Sequence, residues 1–471
     1  MTNTSQKLTV GEKIGYSLGD LAANLVFQTL LTFLAFFYTD VYGLKPEVAT
    51  PVIFFVGLFA ALVYNPIIGA LADRTYTRWG KFRPWILWTA VPLGVMALLA
   101  FSTPDFSPQG KIVYAVVTYA LLLLLYAANN LPYSALSGVI TGDMSERNSM
   151  SSYRFVAVMV AQFVVQVLMY PFVDYMGGGD RVVGFSKVMT WLAGAGMVMM
   201  FITFLTTKER IVPKPEQKST LSQDLKDISK NRPWVIMLLL TILVFITLAL
   251  KGGMYVYYFE HYLDEAAISN FLAKFGMSGI ENPASYGFSL FNGCGIIMMI
   301  VGILFSKGLA DKYGKRDTFG WGLVLSTVFI IILYFLSPTA IGMVMGAQVL
   351  HGFFYGITIP ILWAMIADVA DYSEWKNNRR ATAIIFSAML VGLKLGLTFG
   401  SALVTGILGH YGYVANSDTQ TAEAIQGIKL SVSIYPGIFF LLGAGLLFFY
   451  EINKKMEVQI EQELLERRKS Q

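Results

Sequence analysis

Apolar stretches of about 20 residues recur along the whole chain, and they limit the folds that it can adopt. We count twelve, centred near residues 27, 60, 93, 122, 163, 194, 244, 296, 326, 350, 396 and 439. Each is long enough to cross about 30 Å of hydrocarbon as an α-helix. With 55% hydrophobic and only 14% charged residues, the chain does not have the composition of a water-soluble protein. It is therefore predicted to be an all-α membrane protein with twelve transmembrane helices.

Most Lys and Arg residues lie on one predicted side of the membrane. The tails and the loops after even-numbered spans hold 27 of the 35 Lys and Arg, the opposite side holds seven, and Lys394 lies in mid-membrane. By the positive-inside rule we expect both termini in the cytosol and an even number of crossings. This sorting accounts for the net charge of +5 without a nucleic-acid partner. The N-terminal residues lack the pattern of a cleaved signal peptide, so we expect none.

Two motifs each occur twice, about half a chain apart. GALADRTYTRWGKFRP (69–84) is matched by GLADKYGKRDTF (308–319), and LPYSALSGVITGDMSE (131–146) by IPILWAMIADVADYSE (359–374). Each copy is displaced by six spans, which indicates a duplicated six-helix unit. Twelve spans in two parallel repeats are typical of the major facilitator fold, with two six-helix bundles around a central cavity.

The polar and apolar segments then divide the chain into four parts. We predict an N-terminal six-helix bundle over 1–206, a cytosolic linker with a surface helix over 207–233, a C-terminal bundle over 234–451 and a cytosolic tail helix over 452–471.

The repeated loop motifs carry charges at the cytosolic helix ends. We interpret them as a cytosolic gate, in which acidic and basic residues pair across the halves and hold one conformation closed. The alternative is that they cap helices and follow membrane topology. The candidate gate residues are Asp73, Arg74, Asp143, Asp311, Asp371 and Arg379.

Polar residues recur at helical spacing within four of the apolar stretches. In the first they come every fourth residue, so each stacks above the last with a rotation of about 40°. The stripes are Tyr16, Asp20, Asn24, Gln28 and Thr32 in span 1; Tyr126, Asn129, Asn130 and Tyr133 in span 4; Arg154, Gln162 and Gln166 in span 5; and Lys394, Thr398 and Ser401 in span 11. Opposite the last stripe, Gly392, Gly396 and Gly400 form a smooth face suited to close helix contact.

Lipid cannot satisfy these polar groups, so we expect the stripes to line an interior cavity with water or a polar ligand. Amides, hydroxyls and an acid beside aromatic rings suit a sugar, whose hydroxyls both donate and accept hydrogen bonds. The alternative is that the amides only join helices. The candidate substrate-binding residues are Asp20, Asn24, Tyr126, Asn130, Arg154, Lys394 and Thr398.

The chain resembles the glycoside-pentoside-hexuronide:cation symporters, a branch of the major facilitators, over nearly its whole length. The resemblance depends on GYSLGDLAANLVF (15–27), NPIIGALADRTYTRWGKFRPWIL (65–87), LPYSAL (131–136), YYF (257–259), ADVADYSEWK (367–376) and VGLKLG (391–396). It implies that Asp20 and Asn130 bind sugar hydroxyls and that Arg154 assists. It also implies that Lys394 pairs with the acidic cluster.

Sodium-using members of that family carry three acids at positions that here read Ala61, Asn65 and Asn130. Sodium needs several hard oxygen ligands, and a methyl group and two amides remove the charge that would offset its dehydration. We therefore expect proton coupling, with Asp20 as the titrating group and Lys394 as the cation that modulates it.

The substrate class stays open between a neutral glycoside or oligosaccharide and an acidic sugar such as a hexuronide. Asp20 is the one acid set against the cations Arg154 and Lys394, and also against Lys251 unless that side chain snorkels outward. An anionic substrate would balance these cations. A sodium-independent facilitator or exchanger of sugars and a lysolipid carrier are the alternative functions.

Neither an enzyme nor a metal protein is predicted. Histidines 261, 351 and 410 lie on separate helices without metal-ligand spacing, and Cys294 is the one cysteine. His351 is interpreted as a helix-contact residue rather than a proton relay. We expect no cofactor, and a monomer in a bacterial inner membrane.

Overall fold

A computed structural model describes residues 7–141, 143–211, 231–377, 382–417 and 419–469. In these residues twelve helices are long and apolar enough to cross a membrane, and each contains one of the predicted centres, which confirms the twelve spans. Spans 1 to 12 cover Val10–Val41, Pro46–Ala72, Arg83–Ala100, Pro108–Ile140, Ser149–Gly177, Arg181–Thr206, Arg232–Tyr262, Pro283–Tyr313, Lys315–Phe335, Ile341–Lys376, Ala388–His410 and Ala422–Phe449. A short helix, Glu265–Ala273, follows span 7, and a tail helix, Lys454–Lys469, follows span 12.

Local sequence signals account for many helix starts. Thr9 and Glu12 form a capping box before span 1, and side chains of Ser107, Asn231 and Thr421 accept the first free amide hydrogens of spans 4, 7 and 12. Gly314, with a φ of 90°, separates spans 8 and 9 because a left-handed residue cannot continue a helix. These residues therefore fix where the helices begin or end.

The chain divides into two compact units, Met1–Glu216 with Val414–Ser417, and Gln217–Tyr413 with Asp418–Gln471. The same packing recurs in each. Span 1 packs on spans 5 and 6, and span 7 packs in the same way on spans 11 and 12. Span 2 packs on span 4, as span 8 packs on span 10. Span 3 packs on spans 4 and 6, as span 9 packs on spans 10 and 12. Spans 1 and 7 also both end in a π-helical turn, Phe37–Val41 and Tyr258–Tyr262. The duplicated six-helix unit inferred from two loop motifs is thus visible in the packing of the helices.

Close backbone contact holds the C-terminal unit together where glycines face a neighbouring helix. A Cβ atom on Gly400 would lie 2.5 Å from the Ile246 carbonyl oxygen, and one on Gly396 would lie 2.6 Å from that of Ile242. The predicted glycine face of span 11 therefore packs directly on span 7. In lipid, where apolar side chains gain nothing by leaving the solvent, such close van der Waals packing is a main source of helix association.

The tail helix is anchored to the end of its unit rather than lying apart from it. The Lys454 ammonium donates to the Asp311 and Lys312 carbonyl oxygens at 2.8 and 2.9 Å, which satisfies the free carbonyls at the end of span 8. The Trp375 indole donates to Glu463 at 2.6 Å, and Ile460 is buried. The linker helix predicted within 207–233 lies largely outside the described residues.

Candidate functional site

The acid in span 1 is buried and paired with a cation of span 5. Asp20 is 4% exposed, and its Oδ2 accepts a hydrogen bond from Arg154 Nε at 2.8 Å. One turn further along span 1, the Asn24 amide donates to Asp20 Oδ1 at 3.2 Å and to the Asp20 carbonyl oxygen at 2.9 Å. The pair brings together two residues 134 positions apart that the sequence assigned to one site. A buried carboxylate of this kind requires such a partner.

Two stacked tyrosine rings pack against the Arg154 guanidinium. The rings of Tyr16 and Tyr133 are stacked with centroids 4.7 Å apart, and each hydroxyl donates to the other residue's carbonyl oxygen, at 3.2 and 2.7 Å. The Arg154 Cζ lies 5.9 and 5.5 Å from the two ring centroids, within cation–π range. Arg154 is therefore held on one side by a carboxylate and on another by aromatic faces, with 30% of its side chain still exposed.

The stripes of spans 1 and 5 meet a second time. The Gln166 amide donates to Gln28 Oε1 at 3.3 Å, so the two polar stripes face each other over several turns. On span 4, Tyr126 and Asn130 are half-buried, and the Tyr126 ring lies 6.2 Å from that of Phe27 on span 1. These residues of spans 1, 4 and 5 form a polar, aromatic-lined surface within the N-terminal unit.

Asn129 does not belong to this surface, although the sequence placed it in the span 4 stripe. Its amide is buried and donates to Thr89 Oγ1 on span 3 at 2.8 Å. Asn129 and Asn130 are consecutive, so they point about 100° apart on the helix. Asn129 therefore joins two helices, which is the alternative considered for the amides.

Asn65 of span 2, one of the three positions considered for sodium binding, has a local structural role. Span 2 contains a π-helical turn, Ala60–Tyr64, which leaves backbone carbonyl groups without their usual helical partners. The Asn65 amide donates to the carbonyl oxygens of Ala60 and Ala61, both at 3.2 Å. The side-chain amide thus donates to two carbonyl groups of the π-helical turn, and the Ala60 carbonyl also accepts from the Asn65 backbone amide.

Lys394 and Thr398 lie one turn apart on span 11 and are both half-buried within the C-terminal unit. Their placement on one face of that helix agrees with the predicted stripe. The approach of Lys394 to Asp20 stays a prediction, as does the shared cavity of the two bundles.

The C-terminal unit also holds a buried cluster that sequence reasoning missed. Lys251 of span 7 is hydrogen-bonded through Nζ to His351 Nε2 of span 10, and His351 Nδ1 lies 2.8 Å from Ser326 Oγ of span 9. Lys251 and His351 are 8% and 2% exposed, so Lys251 does not snorkel outward. His351 does contact neighbouring helices, as interpreted from the sequence. The one signal in the sequence was a basic residue within an apolar stretch of each of two spans, with no acid in either stretch.

The candidate gate residues have varied surroundings. Asp143 caps span 5's helix, since its Oδ1 accepts from the Glu146 amide at 3.4 Å. Arg74 and Asp311 are exposed and Asp371 is half-buried. The side chain of Asp73 and all of Arg379 lie outside the described residues. Pairing across the halves therefore stays a prediction.

Charged pairs within each unit lie near the predicted gate instead. Lys13 pairs with Glu146 at 2.9 Å, and Glu12 pairs with Arg210. In the other unit Lys315 contacts Asp368 at 2.6 Å and the tail helix through Glu457 at 3.9 Å. Each of these pairs joins helix ends within one bundle.

Twelve spans in two repeated bundles, with a buried ion pair and aromatic rings on a polar surface, define a membrane transporter of a polar solute rather than an enzyme. The family described as "MFS/sugar transport protein" matches residues 15–280 and 265–454, and the chain belongs to it. The resemblance found in the sequence is confirmed: this is a sugar:cation symporter of the glycoside-pentoside-hexuronide branch, and a multi-pass membrane protein.

Three relatives show how closely the chain follows that branch. It is 37% identical to the inner membrane symporter YicJ of Escherichia coli K12 over 93% of this chain and 91% of the relative. It is 33% identical to the putative glycoside/cation symporter YagG of the same organism, over 97% and 94%. It is 32% identical to the isoprimeverose transporter of Lactiplantibacillus pentosus, over 96% and 91%.

Among solved structures, a bacterial homologue of the human lysosomal transporter Spinster, in an inward-facing and unoccupied conformation, resembles the chain with a TM-score of 0.67. The match is 12% identical and covers 96% of this chain and 99% of that one. At this identity the likeness shows the fold alone, and it confirms the major facilitator architecture.

Proposed function

We propose that this chain imports a neutral glycoside or oligosaccharide together with a proton, and that Asp20 binds both. The observation that carries the proposal is the Asp20–Arg154 ion pair, which lies beside amides and stacked aromatic rings in an otherwise apolar bundle. A buried charge pair is expensive to form, and its retention in a transporter points to use in the transport cycle.

The surface around the pair supplies the contacts that a sugar requires. Asp20 accepts from hydroxyl groups, and the Arg154 guanidinium and the Asn24 and Asn130 amides donate to hydroxyl oxygens. Tyr126 offers an aromatic ring to a sugar's C–H face. We propose that Lys394 and Thr398 complete the site from span 11.

The coupling step begins with the Asp20 carboxylate bound to Arg154. A proton that adds to Asp20 Oδ2 binds the oxygen lone pair that accepts the hydrogen bond from Arg154 Nε–H. That hydrogen bond is lost, the carboxyl group becomes neutral, and the ion pair breaks. The neutral acid then donates to one sugar hydroxyl, and Arg154 donates to another hydroxyl oxygen. Proton and sugar therefore favour each other's binding. The approach of Lys394 in the inward-open conformation favours the charged carboxylate and releases the proton.

The donor set on span 2 supports proton rather than sodium coupling. Asn65 directs its amide nitrogen, a donor, at two backbone carbonyl groups. The Ala61 side chain offers no ligand atom. A sodium ion in this region would lack the carboxylates that offset its dehydration.

Two observations favour a neutral substrate over an acidic one. Arg154 is already balanced by Asp20, and Lys251 is engaged with His351 rather than exposed as a lone cation. Where Lys251 is the neutral amine, a state that the hydrogen bond to His351 allows, the buried positive charge that suggested a uronate falls to Lys394 alone. The relative named as an isoprimeverose transporter is consistent with a saccharide cargo.

We further propose that both termini are cytosolic, that the chain acts as a monomer, and that the charges at the helix ends close the cytosolic side. The distribution of Lys and Arg supports the orientation, since 27 of the 35 lie on one predicted side. Cross-linking between cysteines introduced at Arg74 and Asp311 would test the gate.

Asp20→Asn tests the coupling. In proteoliposomes, a panel of xylosides, galactosides, glucuronides and isoprimeverose first identifies a transported sugar. The variant should then lose accumulation driven by an imposed pH gradient and keep exchange of labelled for unlabelled sugar. The matched control is Asp40→Asn, the same change on the same span, which should accumulate sugar as before. Accumulation by Asp20→Asn at the wild-type level would show that Asp20 is not the coupling site.

The coupling ion and the substrate charge have their own measurements. Uptake should be unchanged when choline replaces sodium and should stop when a protonophore is added. Unlabelled xylosides or galactosides should compete with uptake more strongly than glucuronate. Uptake that requires sodium, or stronger competition by glucuronate, would contradict the corresponding part of the proposal.

A further inference from the structure

The cluster of Lys251, His351 and Ser326 has no part in the function proposed above, yet it is buried where charge is expensive. Its three residues come from spans 7, 10 and 9 of the C-terminal unit. Among the described residues, neither Lys251 nor His351 contacts a carboxylate, and Lys251 is the charged group that acts on His351. In the described part of the chain, the other titratable group in contact with the cluster is Tyr355, whose ring centroid lies 5.2 Å from Lys251 Nζ, and Tyr255 lies one turn further along the helix of Lys251.

Two bases in hydrogen-bond contact cannot both carry their proton. With Lys251 as an ammonium and His351 as an imidazolium, both Nζ and Nε2 would be donors and the hydrogen bond between them would be lost. Two like charges would also be in contact in a low-dielectric interior. The cluster therefore holds a total charge of at most one.

The third residue allows the cluster to carry one positive charge or none while both ring nitrogens of His351 keep a hydrogen-bond partner. In the charged state the Lys251 ammonium donates to Nε2, and Nδ1–H donates to Ser326 Oγ at 2.8 Å or to the Ser326 carbonyl oxygen at 3.3 Å. In the neutral state Nε2–H donates to the lysine amine, and the serine hydroxyl donates to Nδ1. A hydroxyl both donates and accepts, so Ser326 suits both states.

Unpaired polar atoms near the cluster show that it is not sealed in a purely apolar core. In the part of the chain that the structure describes, the buried hydroxyls of Tyr255 and Tyr258 and the Oε1 of Gln348 have no hydrogen-bond partner. The tyrosines lie four and seven residues beyond Lys251, about 6 and 10.5 Å along the helix axis. Gln348 lies one turn before His351. Buried unpaired polar atoms are normally satisfied by water, and such water would connect the cluster to the end of span 7.

We propose that Lys251, His351 and Ser326 form a second proton-binding site, in the C-terminal unit and separate from Asp20. Its ligand is a single hydrogen ion. On binding, the proton adds to the Lys251 amine, the imidazole proton moves from Nε2 to Nδ1, and the serine hydroxyl changes from donor to acceptor. On release the three shifts reverse: the Lys251 ammonium loses one proton, the Nδ1–H bond of the imidazole breaks as an Nε2–H bond forms, and the serine hydroxyl again donates. A use of this site in transport rests on the proton coupling proposed above, but its protonation does not.

The proposal requires a change of tautomer at His351 without a doubly protonated ring. The experiment uses the full-length protein in lipid bilayers, labelled with ¹⁵N-histidine and followed by solid-state NMR from about pH 6 to about pH 10. The chain has three histidines, and the His351 signals are those missing from His351→Gln. We expect a neutral ring with the proton on Nδ1 at the acid end and on Nε2 at the alkaline end. A doubly protonated ring near pH 7, or one tautomer throughout, would overturn the proposal.

Two variants and one control complete the test, and the wild-type titration decides the matter even if a variant fails to fold. Lys251→Met should abolish the change of tautomer. Ser326→Ala removes the hydroxyl donor and should hold the proton on Nδ1 to higher pH. Asp20→Asn should leave the change of tautomer intact, so a failure of the coupling role of Asp20 is distinguishable from a failure of this site. A change of tautomer that persists in Lys251→Met would mean that the lysine is not part of the proton site.

Discussion

Removal of one or both charges of the Asp20–Arg154 pair tests the claim that the two act as a unit. Asp20→Asn leaves a cation whose side chain is 30% exposed, still supported by two tyrosine rings and by an amide oxygen that can accept. We expect a loss of about 2 kcal/mol. Arg154→Met leaves a carboxylate that is 4% exposed with one amide donor, and we expect a loss of about 3 kcal/mol.

The double variant should cost much less than the sum, because no buried charge is left without a partner. We expect a loss of about 2 kcal/mol, which corresponds to a coupling energy of about 3 kcal/mol. For a bundle of this size 1 kcal/mol lowers the melting temperature by about 2–4 °C. Asp20→Asn and the double variant should therefore each melt about 4–8 °C below wild type, and Arg154→Met about 6–12 °C below.

The assay is thermal unfolding of the purified protein in detergent, followed by the amount that still elutes as a folded species after heating. Asp20→Asn combined with Glu463→Gln, on the tail helix of the other unit, is the additive control. If the drop in the Asp20→Asn/Arg154→Met variant equals the sum of the two single drops, the residues do not stabilise each other, and the reasoning about the site is wrong.

Three further outcomes follow from contacts and charges elsewhere in the chain. Gly356→Leu should prevent folding, because a Cβ atom there would lie 2.1 Å from a carbonyl oxygen of span 8. In the same elution assay Gly346→Leu should fold normally, because a Cβ atom at that position would have no neighbouring atom within 4 Å. Tyr133→Phe should lower stability by about 1 kcal/mol, measured by thermal unfolding, since it removes a 2.7 Å hydrogen bond to span 1 and keeps the stacked ring. Burial raises the pKa of Glu457, outweighing the opposite effect of Lys315, so the docked tail helix favours the protonated acid. Docking should weaken as the pH rises through that pKa, and hydrogen exchange of the tail should lose this pH dependence in Glu457→Gln.

The spans, their number and their duplication could be predicted from the sequence because the bilayer imposes them. Every backbone polar group inside hydrocarbon must be satisfied within its own helix, so an apolar stretch of sufficient length has few alternatives. The glycine face of span 11 could also be predicted, since Gly396 and Gly400 lie one turn apart and glycines at this spacing indicate close contact with another helix. Periodicity alone carries this information.

The candidate site was predicted only in part, because helical spacing gives a direction but not the neighbour in that direction. Asp20 and Arg154 could be assigned to one site through the family resemblance. Asn129 could not be separated from Asn130, since the side of span 4 that faces span 3 depends on tertiary packing. Lys251 and His351 are 100 positions apart, and no local pattern joins them. Asp143 makes a local capping contact at the start of a helix, and its part in a gate stays a prediction.

The charge of the substrate and the energy source are connected through Asp20 and Arg154. In the proposed cycle the empty carrier holds a carboxylate and a guanidinium, so the Asp20–Arg154 pair has no net charge when the carrier returns outward. Protonation of Asp20 leaves Arg154 as the net charge of the pair, and a neutral sugar keeps the loaded pair at +1. The membrane potential then contributes about 2.3 kcal/mol per 100 mV to the inward step. A uronate would cancel that charge and leave the pH gradient as the driving force. A neutral cargo therefore lets the carrier use both components of the proton-motive force, and this agrees with an N-terminal site in which the buried Asp20 already balances Arg154.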